Sequence, residues 1–498
     1  MKGCFLLQRQ FAYIGHCLAL LLKEKYGFKE FCGYVYVRQS YEFLKSQKDV
    51  EYSSLLLDEE IHKLYKNEAL NLSFLKKIEE EYGMPNLWHY LAMDRIIMFN
   101  QLVREYPYNA PIYTHEEMLR ILQVKAREII SFLDKEKPDF IFFSVVGAIG
   151  GLLLHEIAKK RGIKTLHLIH IGIRNKFTII NSYYQESGVK NLLTAYPNKI
   201  SDRDAAEVKK FLKKFRNRPF TYDKDSSPQK QPLTRFKQFK FLLPRGAWKS
   251  LTFIITALHE YFTKTYRYDY SYIQPQNYLW DRIKRKTRNL IGADDLYDDP
   301  YPSRPFAFFP LHMEPEVATL LRAPFYTDQI HVIKQAARSL PVGYYLYVKD
   351  HPRMVVYRPR SYYKELKKIP NVKLLKPSIP IYEILRRAQL IITITGTAGW
   401  EGTLLKKPVI TFGDAFYNPL SFIKRCRSYE DLPLLVKQQL NDFKYNEAEL
   451  IKFIAVLFTE SVDVDLDYLW EHETDLKKKK AGLEPLARLL AKRLKIIA

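Results

Sequence analysis

The stretch IITITGTAGWEGTLLKKPVITFG (391–413) carries the pattern of a strand, a turn of small residues, a helix and a second strand. We predict strands over 390–395 and 408–412, with a helix over 398–405 between them. A turn of this kind brings backbone N–H groups close to a ligand, and the N-terminus of the helix favours negative charge. The pattern therefore predicts a phosphate site at Thr395, Gly396, Thr397 and Ala398. The alternative is a turn that uses glycine only for packing.

Glu401 lies one turn inside this predicted helix. Its carboxylate could accept hydrogen bonds from ribose hydroxyls next to the phosphate site. The alternative is a structural role, because the helix dipole favours a carboxylate near a helix start. The stretch matches neither a Walker A loop nor a G-x-G-x-x-G fingerprint, so its pattern alone does not name the ligand.

Residues 304–425 alternate short apolar runs with helical patterns. Strands are predicted over 305–309, 344–349, 372–375, 390–395 and 408–412, and helices over 328–340, 381–388 and 398–405. Apolar runs separated by helices are typical of a parallel sheet covered on both faces. Such sheets bind ligands beyond the carboxyl ends of their strands, so residues that follow the strands are the candidates for a site.

A second motif, YVKDHPRM (347–354), also follows a predicted strand. It presents Lys349, His351 and Arg353, which are cationic or can become so. An imidazole at this position could bind a phosphate or a leaving phosphoryl oxygen. A single histidine is more often structural, but two strand-end clusters that converge on one sheet edge favour a functional role.

A third motif, FFPLHMEPEVATL (308–320), presents His312, Glu314 and Glu316 in a loop after a strand. The HxExE spacing is not a metal signature, so we predict no metal site. We expect this loop to line a cleft.

Residues 1–200 show a second α/β pattern, clearest in PDFIFFSVVGAIGGLLLHEIAKKRGIKTLHLIHIG (138–172). A strand over 140–144, a helix over 150–161 and a strand over 164–169 predict a parallel β-α-β unit. An earlier strand over 4–7 and a helix from about residue 14 would place His16 at the first βα turn. His16 is then a candidate base, with a histidine packed under the sheet as the alternative. Arg174 could hold an anionic group or form a surface salt bridge.

Composition sets the class of protein. A chain of 498 residues predicts two large domains. Lys and Arg exceed Asp and Glu by 24, which favours anionic partners. The four cysteines form no CxxC pair, so neither disulfides nor a zinc site is expected. Free cysteines indicate the reducing environment of the cytosol. No apolar run reaches the roughly 18 residues of a spanning helix.

Much of the positive charge lies in 209–288, which has 20 basic and 5 acidic residues interleaved with aromatic ones. Three interpretations stay open: a solvated excursion, a surface that binds an anionic membrane, and nucleic-acid binding. No nucleic-acid-binding signature supports the third interpretation. The segment opens with a linker-like stretch (222–232). The tail after about residue 430 is predicted to be mostly helical and ends in a basic amphipathic segment, LKKKKAGLEPLARLLAKRLKIIA (476–498).

The order PLHMEPE, VKDHPR and TGTAGWEGTLLKKPVITFG resembles the capsule polysaccharide biosynthesis family, most closely over about 304–417. That family includes β-Kdo transferases of GT-B architecture. The resemblance implies an α/β fold with two Rossmann-like domains facing across a cleft. The expected domains are 1–200, a basic aromatic insert (201–300), 301–425 and C-terminal helices (426–498). One departure is Gly402, where the family usually carries Ala.

The resemblance implies a metal-independent glycosyltransferase without a cofactor, whose substrates are a nucleotide sugar (CMP-Kdo-like or a UDP-sugar) and a polysaccharide or lipid-linked acceptor. Nucleic acid is not expected as a partner, and the location would be cytoplasmic or peripheral on the inner face of the cell membrane. The expected donor-binding residues are His312, Lys349, His351, Arg353, Thr395, Gly396, Thr397, Ala398 and Glu401. The catalytic candidates are His16 and Glu316, and the acceptor-side candidates are Ser144, Gly147 and Arg174.

Three other functions are compatible with the sequence. A non-catalytic assembly or export protein would keep the fold and transfer no sugar. A nucleotide-sugar epimerase, which shares the two-domain architecture, would act on the donor without an acceptor. A nucleic-acid binder would show a steep dependence of affinity on salt.

Overall fold

The structure is a computed structural model. It describes residues 1–8, 11–82, 86–99, 111–196, 200–220, 235, 238–239, 243–263, 269–272, 274–299 and 304–497. The chain forms two compact units. Unit 1 holds the described residues up to Val208 and again those from Leu450, and unit 2 holds those of Lys209–Glu449. The linker-like stretch 222–232 lies outside the described residues.

The strands are β1 Lys2–Leu7, β2 Glu30–Val35, β3 Tyr52–Leu57, β4 Phe140–Phe143, β5 Lys164–His170, β6 Lys176–Ile180, β7 Phe306–Pro310, β8 Tyr345–Lys349, β9 Val372–Leu375, β10 Leu390–Thr393, β11 Val409–Thr411, β12 Ile423–Arg425 and β13 Ser461–Asp463. The helices of the first half are α1 Phe11–Tyr26, α2 Arg38–Ser46, α3 Asp58–Lys63, α4 Leu72–Tyr82, α5 Leu87–Met93, α6 Arg95–Phe99, α7 His115–Glu136, α8 Ile149–Lys160, α9 Gln185–Ala195, α10 Asp202–Asn217 and α11 Pro244–Thr263. The remaining helices are α12 Pro275–Ile291, α13 Val317–Leu320, α14 Gln329–Ser339, α15 Arg360–Lys367, α16 Ile381–Arg387, α17 Thr397–Leu404, α18 Leu432–Asn441, α19 Glu447–Thr459, α20 Leu466–Glu471 and α21 Leu476–Arg493.

Unit 2 is built on a parallel sheet. Its described strands follow the order β12-β11-β10-β7-β8-β9. This is the order of a Rossmann-like sheet. The strands β8 and β9 are added on one side of β7, and β10, β11 and β12 are added on its other side, so the strand order reverses between β7 and β10. The residues of β10 are all buried, as a sheet covered on both faces requires. Each strand predicted over 304–425 is present, with ends that differ by at most two residues.

Unit 1 repeats the arrangement, with the described strands in the order β13-β6-β5-β4-β1-β2-β3. The strands β1 to β5 are parallel, whereas β6 returns as an antiparallel neighbour of β5 and β13 pairs antiparallel with β6. Two Rossmann-like α/β units are therefore present, as the sequence predicts. The predicted cleft between the units stays a prediction.

The C-terminal segment differs from its predicted role. The prediction groups 426–498 as separate C-terminal helices, but α18 belongs to unit 2 and the residues from Leu450 complete unit 1. The apolar side chains of α21, among them Leu483, Leu486 and Leu490, are buried in the same core as Leu18 of α1. The amphipathic pattern of this helix is explained by packing within unit 1.

The predicted start of α1 is also wrong. Gly15 and His16 do not form a βα turn, because the helix begins at Phe11. A Cβ at residue 15 would come within 2.3 Å of the Leu7 side chain, so the glycine allows the helix to approach β1 closely. Among the described residues, no helix is long and apolar enough to cross a bilayer.

Candidate functional site

A pocket of about 380 Å³ opens at the carboxyl edge of the unit 2 sheet. Its walls come from the segments that follow β7, β8, β9 and β10, so it lies where the strand order reverses. Open α/β sheets bind their ligands at this position. All the predicted donor-binding residues, together with Glu316, line this pocket: His312, Glu316, Lys349, His351, Arg353, Thr395, Gly396, Thr397, Ala398 and Glu401.

The start of α17 forms one wall of the pocket. Gly396 is the N-cap residue and has an extended backbone, and its N–H donates to the Thr393 hydroxyl (3.1 Å). The backbone N–H groups of Thr397 and Ala398 belong to the first helical turn, where the helix itself offers no acceptor. These groups and the helix dipole favour an anion at this end of the pocket.

The other two glycines of α17 are explained by packing. A Cβ at Gly399 would come within 2.4 Å of the Tyr417 hydroxyl oxygen, and a Cβ at Gly402 within 2.1 Å of the Ile391 side chain. Because glycine has no side chain, α17 can pack closely against Tyr417 and Ile391 at these two positions. The departure from Ala at Gly402 therefore has a local cause in the contact with β10.

His312 contributes a neutral imidazole. It follows β7, and the Thr395 N–H donates to its Nε2 (3.2 Å), so in the neutral ring Nδ1 carries the proton. Burial, with a smaller effect from the neighbouring His351 and Arg358 side chains, lowers the pKa of His312 to about 3. Within the described residues the buried Nδ1 has no hydrogen-bond partner. His312 therefore lines the pocket as a fixed, uncharged ring whose buried Nδ1–H is an unused donor.

Lys349 and Glu401 form an electrostatically coupled pair in the pocket. Burial lowers the pKa of Lys349 to about 8, against the opposing charges of Asp350 and Glu401. Burial also raises the pKa of Glu401 to about 7, although the Tyr382 hydroxyl donates to its Oε1 (3.0 Å) and Lys349 attracts it. In the described part of the chain no hydrogen bond or ion pair engages the Lys349 ammonium. A ligand phosphate is the kind of group that would satisfy this ammonium.

A buried ionic cluster holds two walls of the pocket together. Asp350 accepts hydrogen bonds from the guanidinium of Arg358, from the Tyr363 hydroxyl and from the N–H of His351. Arg358 also donates to the carbonyl of His312 and lies near Glu314 (3.4 Å). Arg358 thus ties the loop after β7 to the loop after β8. Both residues of the central pair are almost fully buried.

His351 begins a short 3-10 turn after β8. Its Nδ1 accepts from the N–H of Arg353 (3.3 Å), so in the neutral ring Nε2 is the protonated nitrogen. Pro352 at the first position of the turn fixes the backbone after the histidine. The turn therefore presents the His351 ring and the Arg353 side chain to the pocket from one rigid corner.

Comparison with known proteins agrees with the motifs in this pocket. Residues 262–421 match the model of the family described as capsule polysaccharide biosynthesis protein. The resemblance to this family is confirmed over that segment. The match covers about a third of the chain and includes β7 to β11 with every pocket-lining motif.

A curated relative and a number of solved structures are similar to this chain. Protein FixF of Sinorhizobium fredii is 30% identical over 123 residues, which are 24% of this chain and 29% of that protein. KpsC, the beta Kdo 2,7 transferase of Thermosulfurimonas dismutans, is 13% identical, with a TM-score of 0.38 over 72% of this chain and 89% of that chain. A UDP-GlcNAc 2-epimerase from Neisseria meningitidis is 12% identical, with a TM-score of 0.28 over 99% of both chains. Likeness at this level carries no conclusion about activity.

The predicted acceptor-side residues lie in unit 1. Ser144 follows β4, where it is buried and donates to the Leu6 carbonyl (3.3 Å), and Gly147 lies in the loop that leads to α8. Arg174 is exposed at the turn between β5 and β6. All three residues are at the carboxyl edge of the unit 1 sheet, which is the edge that binds ligands in such folds.

His16 is not at this edge. His16 belongs to the second turn of α1, and its ring is buried against neighbouring elements. Its Nδ1 lies 3.2 Å from the Tyr52 hydroxyl and its Nε2 lies 3.2 Å from Asp49. Burial lowers the pKa of His16. The positional argument for a catalytic base is therefore wrong, and the packed histidine of the alternative interpretation is what the structure contains.

Sequence reasoning missed two polar side chains of the pocket. Tyr382, at the start of α16, holds the Glu401 carboxyl, and Arg322 adds a further cation to the lining. The loop before Tyr382 follows β9, so the rule that residues after parallel strands converge could have found it. Arg322 follows α13 rather than a strand, and no sequence signal points to it.

The first testable prediction concerns the buried carboxyl of Glu401. A pKa raised in the folded state means that stability falls as pH rises from the ordinary value of 4.5 through about 7. Replacing Glu401 with Gln removes this loss, so at pH 8 the variant is expected to be more stable by about 2 kcal/mol, with no gain at pH 4. Chemical denaturation at both pH values measures it. The matched change at exposed Glu430 should leave stability unchanged, and equal effects of the two variants would contradict burial as the cause.

Proposed function

We propose that the unit 2 pocket binds a nucleotide-sugar donor and that the protein transfers the sugar to a surface polysaccharide or glycolipid during capsule polysaccharide biosynthesis. The observation that carries this proposal is the free ammonium of Lys349 beside the first turn of α17, at the switch point of a Rossmann-like sheet. The family match over 262–421 supports the biosynthetic context.

In the proposed donor site, cationic groups would bind the phosphates of the nucleotide sugar, and other groups would form hydrogen bonds to it. Lys349, His351 and Arg353 would neutralise the phosphates, together with the backbone N–H groups of Thr397 and Ala398. His312 would add an uncharged donor, and Glu401 would accept from the ribose hydroxyls. These groups would offset the charge that grows on the leaving phosphate, which is the main electrostatic demand of glycosyl transfer. We propose no resident metal or cofactor.

Transfer breaks the bond between the anomeric carbon and a phosphate oxygen and forms a bond from that carbon to an acceptor hydroxyl oxygen. The acceptor proton needs a base, or the enzyme needs a carboxylate nucleophile if configuration is retained. Glu316 is the proposed group, because it lines the donor pocket at the N-terminus of α13. The acceptor would bind at the unit 1 edge that carries Ser144, Gly147 and Arg174. A lipid-linked acceptor would place the protein at the inner face of the membrane.

A transfer assay distinguishes this proposal from its rivals. Purified protein is incubated with CMP-Kdo, UDP-N-acetylglucosamine or UDP-glucose, with and without an oligosaccharide or glycolipid acceptor, and the products are identified by mass spectrometry. The expected result is an elongated acceptor and released nucleotide, lost in Glu316→Gln and retained in Glu430→Gln. Conversion of the donor without an acceptor would instead indicate an epimerase. Donor binding without any turnover would indicate a non-catalytic assembly protein.

Nucleotide affinity is expected to depend on pH through the coupled pair. Lys349 loses its proton above about pH 8, so affinity should fall up to tenfold per pH unit above that value. Glu401 becomes protonated below about pH 7, so the ribose contact should weaken several-fold there. Calorimetric titration between about pH 6 and pH 9.5 gives the profile. Lys349→Met should abolish the alkaline limb and Glu401→Gln the acid limb, and an unchanged profile in both variants would refute the assignment.

A further inference from the structure

Helices α11 and α12 expose an unusual amount of apolar surface. No side chain of α12 is buried, and the same holds for the described side chains of α11. In the helices of ordinary globular domains an apolar stripe faces the core. Here the large apolar side chains that are at least 44% exposed are Trp248, Leu251, Phe253, Ile254, Ile255, Leu258 and Phe262 of α11 and Leu279, Trp280, Ile283, Leu290 and Ile291 of α12.

The two helices pack on each other as a hairpin. The rings of Phe253 and Tyr278 lie 5.0 Å apart, and the Tyr272 hydroxyl lies 3.5 Å from the Ala257 carbonyl. Contacts of this kind leave the outer apolar side chains of both helices on the surface. The hairpin therefore presents a concentration of exposed apolar side chains, the apolar patch, and a concentration of this kind marks an interaction site.

The C-terminal half of α12 fixes the hairpin to the body of unit 2. Arg285 donates to the Tyr357 hydroxyl (2.9 Å) and stacks on that ring at 5.0 Å, and Arg288 donates to the Tyr357 carbonyl. Tyr357 lies five residues after Pro352 of the pocket. The exposed hairpin is thus attached to the segment after β8, which forms one wall of the donor pocket.

Basic side chains accompany the apolar patch. Exposed cations of the two helices are Arg245, Lys249, Arg282 and Lys284, and the Lys284 ammonium lies over the Trp280 ring at 5.4 Å. The described acidic side chains of the two helices are Glu260 and Asp281, and Asp281 is paired with Arg285. Tryptophan and aliphatic side chains beside lysine and arginine match the boundary between lipid headgroups and acyl chains. A protein partner would have to be both apolar and acidic, whereas an anionic bilayer offers both properties at once.

We propose that α11 and α12 form an interfacial anchor, which lies in the headgroup region of an anionic bilayer with its apolar side chains in the acyl boundary. Neither helix is long and apolar enough to span the bilayer, so the anchor lies in one leaflet. The basic amphipathic helix α21 buries its apolar side chains in unit 1 and does not contribute. This inference goes beyond the proposed function, because it holds whether or not the pocket takes a nucleotide sugar.

Vesicle flotation tests the anchor in the full chain. Vesicles of phosphatidylcholine with about a third phosphatidylglycerol are compared with pure phosphatidylcholine vesicles. The wild type is expected to float with the anionic vesicles and to bind the neutral ones at least tenfold more weakly. The triple variant Trp248→Gln, Ile255→Gln and Phe262→Gln is expected to lose at least tenfold in binding. The matched control, Val342→Gln with Leu434→Gln, changes exposed apolar side chains elsewhere in unit 2 and should bind as the wild type does.

Three outcomes would overturn the anchor. The first is a wild type that binds neither vesicle, and the second is a triple variant that binds as well as the wild type. The third is a wild type whose self-association, measured by light scattering, disappears in the triple variant while vesicles are not bound, which would make the patch a protein interface. Circular dichroism and thermal unfolding of the same variants check that unit 2 is folded. Nucleotide titration of the wild type reports on the donor site separately, so failure of the anchor is distinguished from failure of the donor site.

Discussion

Replacing Lys349 with Met is expected to stabilise the folded protein and, at the same time, to lower its affinity for nucleotide by about 100-fold. Burial lowers the pKa of Lys349 from 10.5 to about 8, so holding the charged form costs the fold about 3 kcal/mol at pH 7. This pKa already includes the attraction of Lys349 to Asp350 and Glu401, and the variant leaves those two carboxyl groups without that attraction. The net expected gain is about 1–2 kcal/mol. The loss of affinity reflects charge-assisted hydrogen bonds to phosphate, at about 1.5–3 kcal/mol.

Opposite signs for stability and binding distinguish a ligand-binding lysine from a structural one. Chemical denaturation at pH 7 and nucleotide titration are measured on the same preparations. Lys364→Met, at a position on α15 outside the pocket, is the matched control and should change neither quantity appreciably. A Lys349→Met variant that is both less stable and weaker in binding would show that the lysine supports the fold, and would contradict the assigned role.

Replacing Arg358 with Met is expected to have the largest effect on stability, a loss of about 3–5 kcal/mol. Arg358 is 3% exposed and Asp350 is 4% exposed, so the variant leaves a buried carboxylate without its charged partner. The variant also removes the hydrogen bond from Arg358 to the His312 carbonyl and leaves that carbonyl with the Gln329 amide as its donor, which weakens the hold on the loop after β7. We expect nucleotide binding to be lost with the geometry of both loops.

The control for Arg358 lies two residues away. Arg360 pairs with Asp295 on the surface, where the two side chains are 31% and 63% exposed. Exposed ion pairs add little to stability because water screens their charges, so Arg360→Met should be nearly neutral. The double variant Arg358→Met with Asp350→Asn should recover part of the lost stability, because the unpaired charge is gone. Equal effects of the Arg358 and Arg360 single variants would refute the buried cluster as the element that joins the two loops.

The fold of unit 2 was predictable because its signals are local. Short apolar runs, helical patterns and turn residues follow one another along 304–425, and each marks its own element. The convergence of the three motifs also follows from a general rule, since the carboxyl ends of parallel strands meet at one edge. This rule predicts that His351 and Gly396 lie at one edge, and the loop that carries His312, expected to line a cleft, joins them in the same pocket.

The remaining features depend on contacts between distant segments. The return of the C-terminus to unit 1 is set by the packing of α21 on α1, nearly the whole chain length apart. The hydrogen bond from Tyr382 to Glu401 and the ionic cluster around Arg358 join separate elements that no spacing rule connects. The prediction for His16 was wrong for the same reason. It assumed a turn at this position, whereas His16 belongs to α1 and its ring packs against distant segments.

The most direct test of the donor site is calorimetric titration of the wild type with CMP, UDP, GDP and ADP at about pH 7.5, between the two titrations of the coupled pair. We expect one nucleotide to bind selectively, with an affinity that falls about 100-fold in Lys349→Met and is unchanged in Lys364→Met. CMP would indicate a Kdo-like or sialic-type donor sugar, and UDP a neutral or N-acetylated hexose. A folded wild type that binds none of the four nucleotides, or binds them equally well after Lys349→Met, would contradict a nucleotide-sugar site in this pocket.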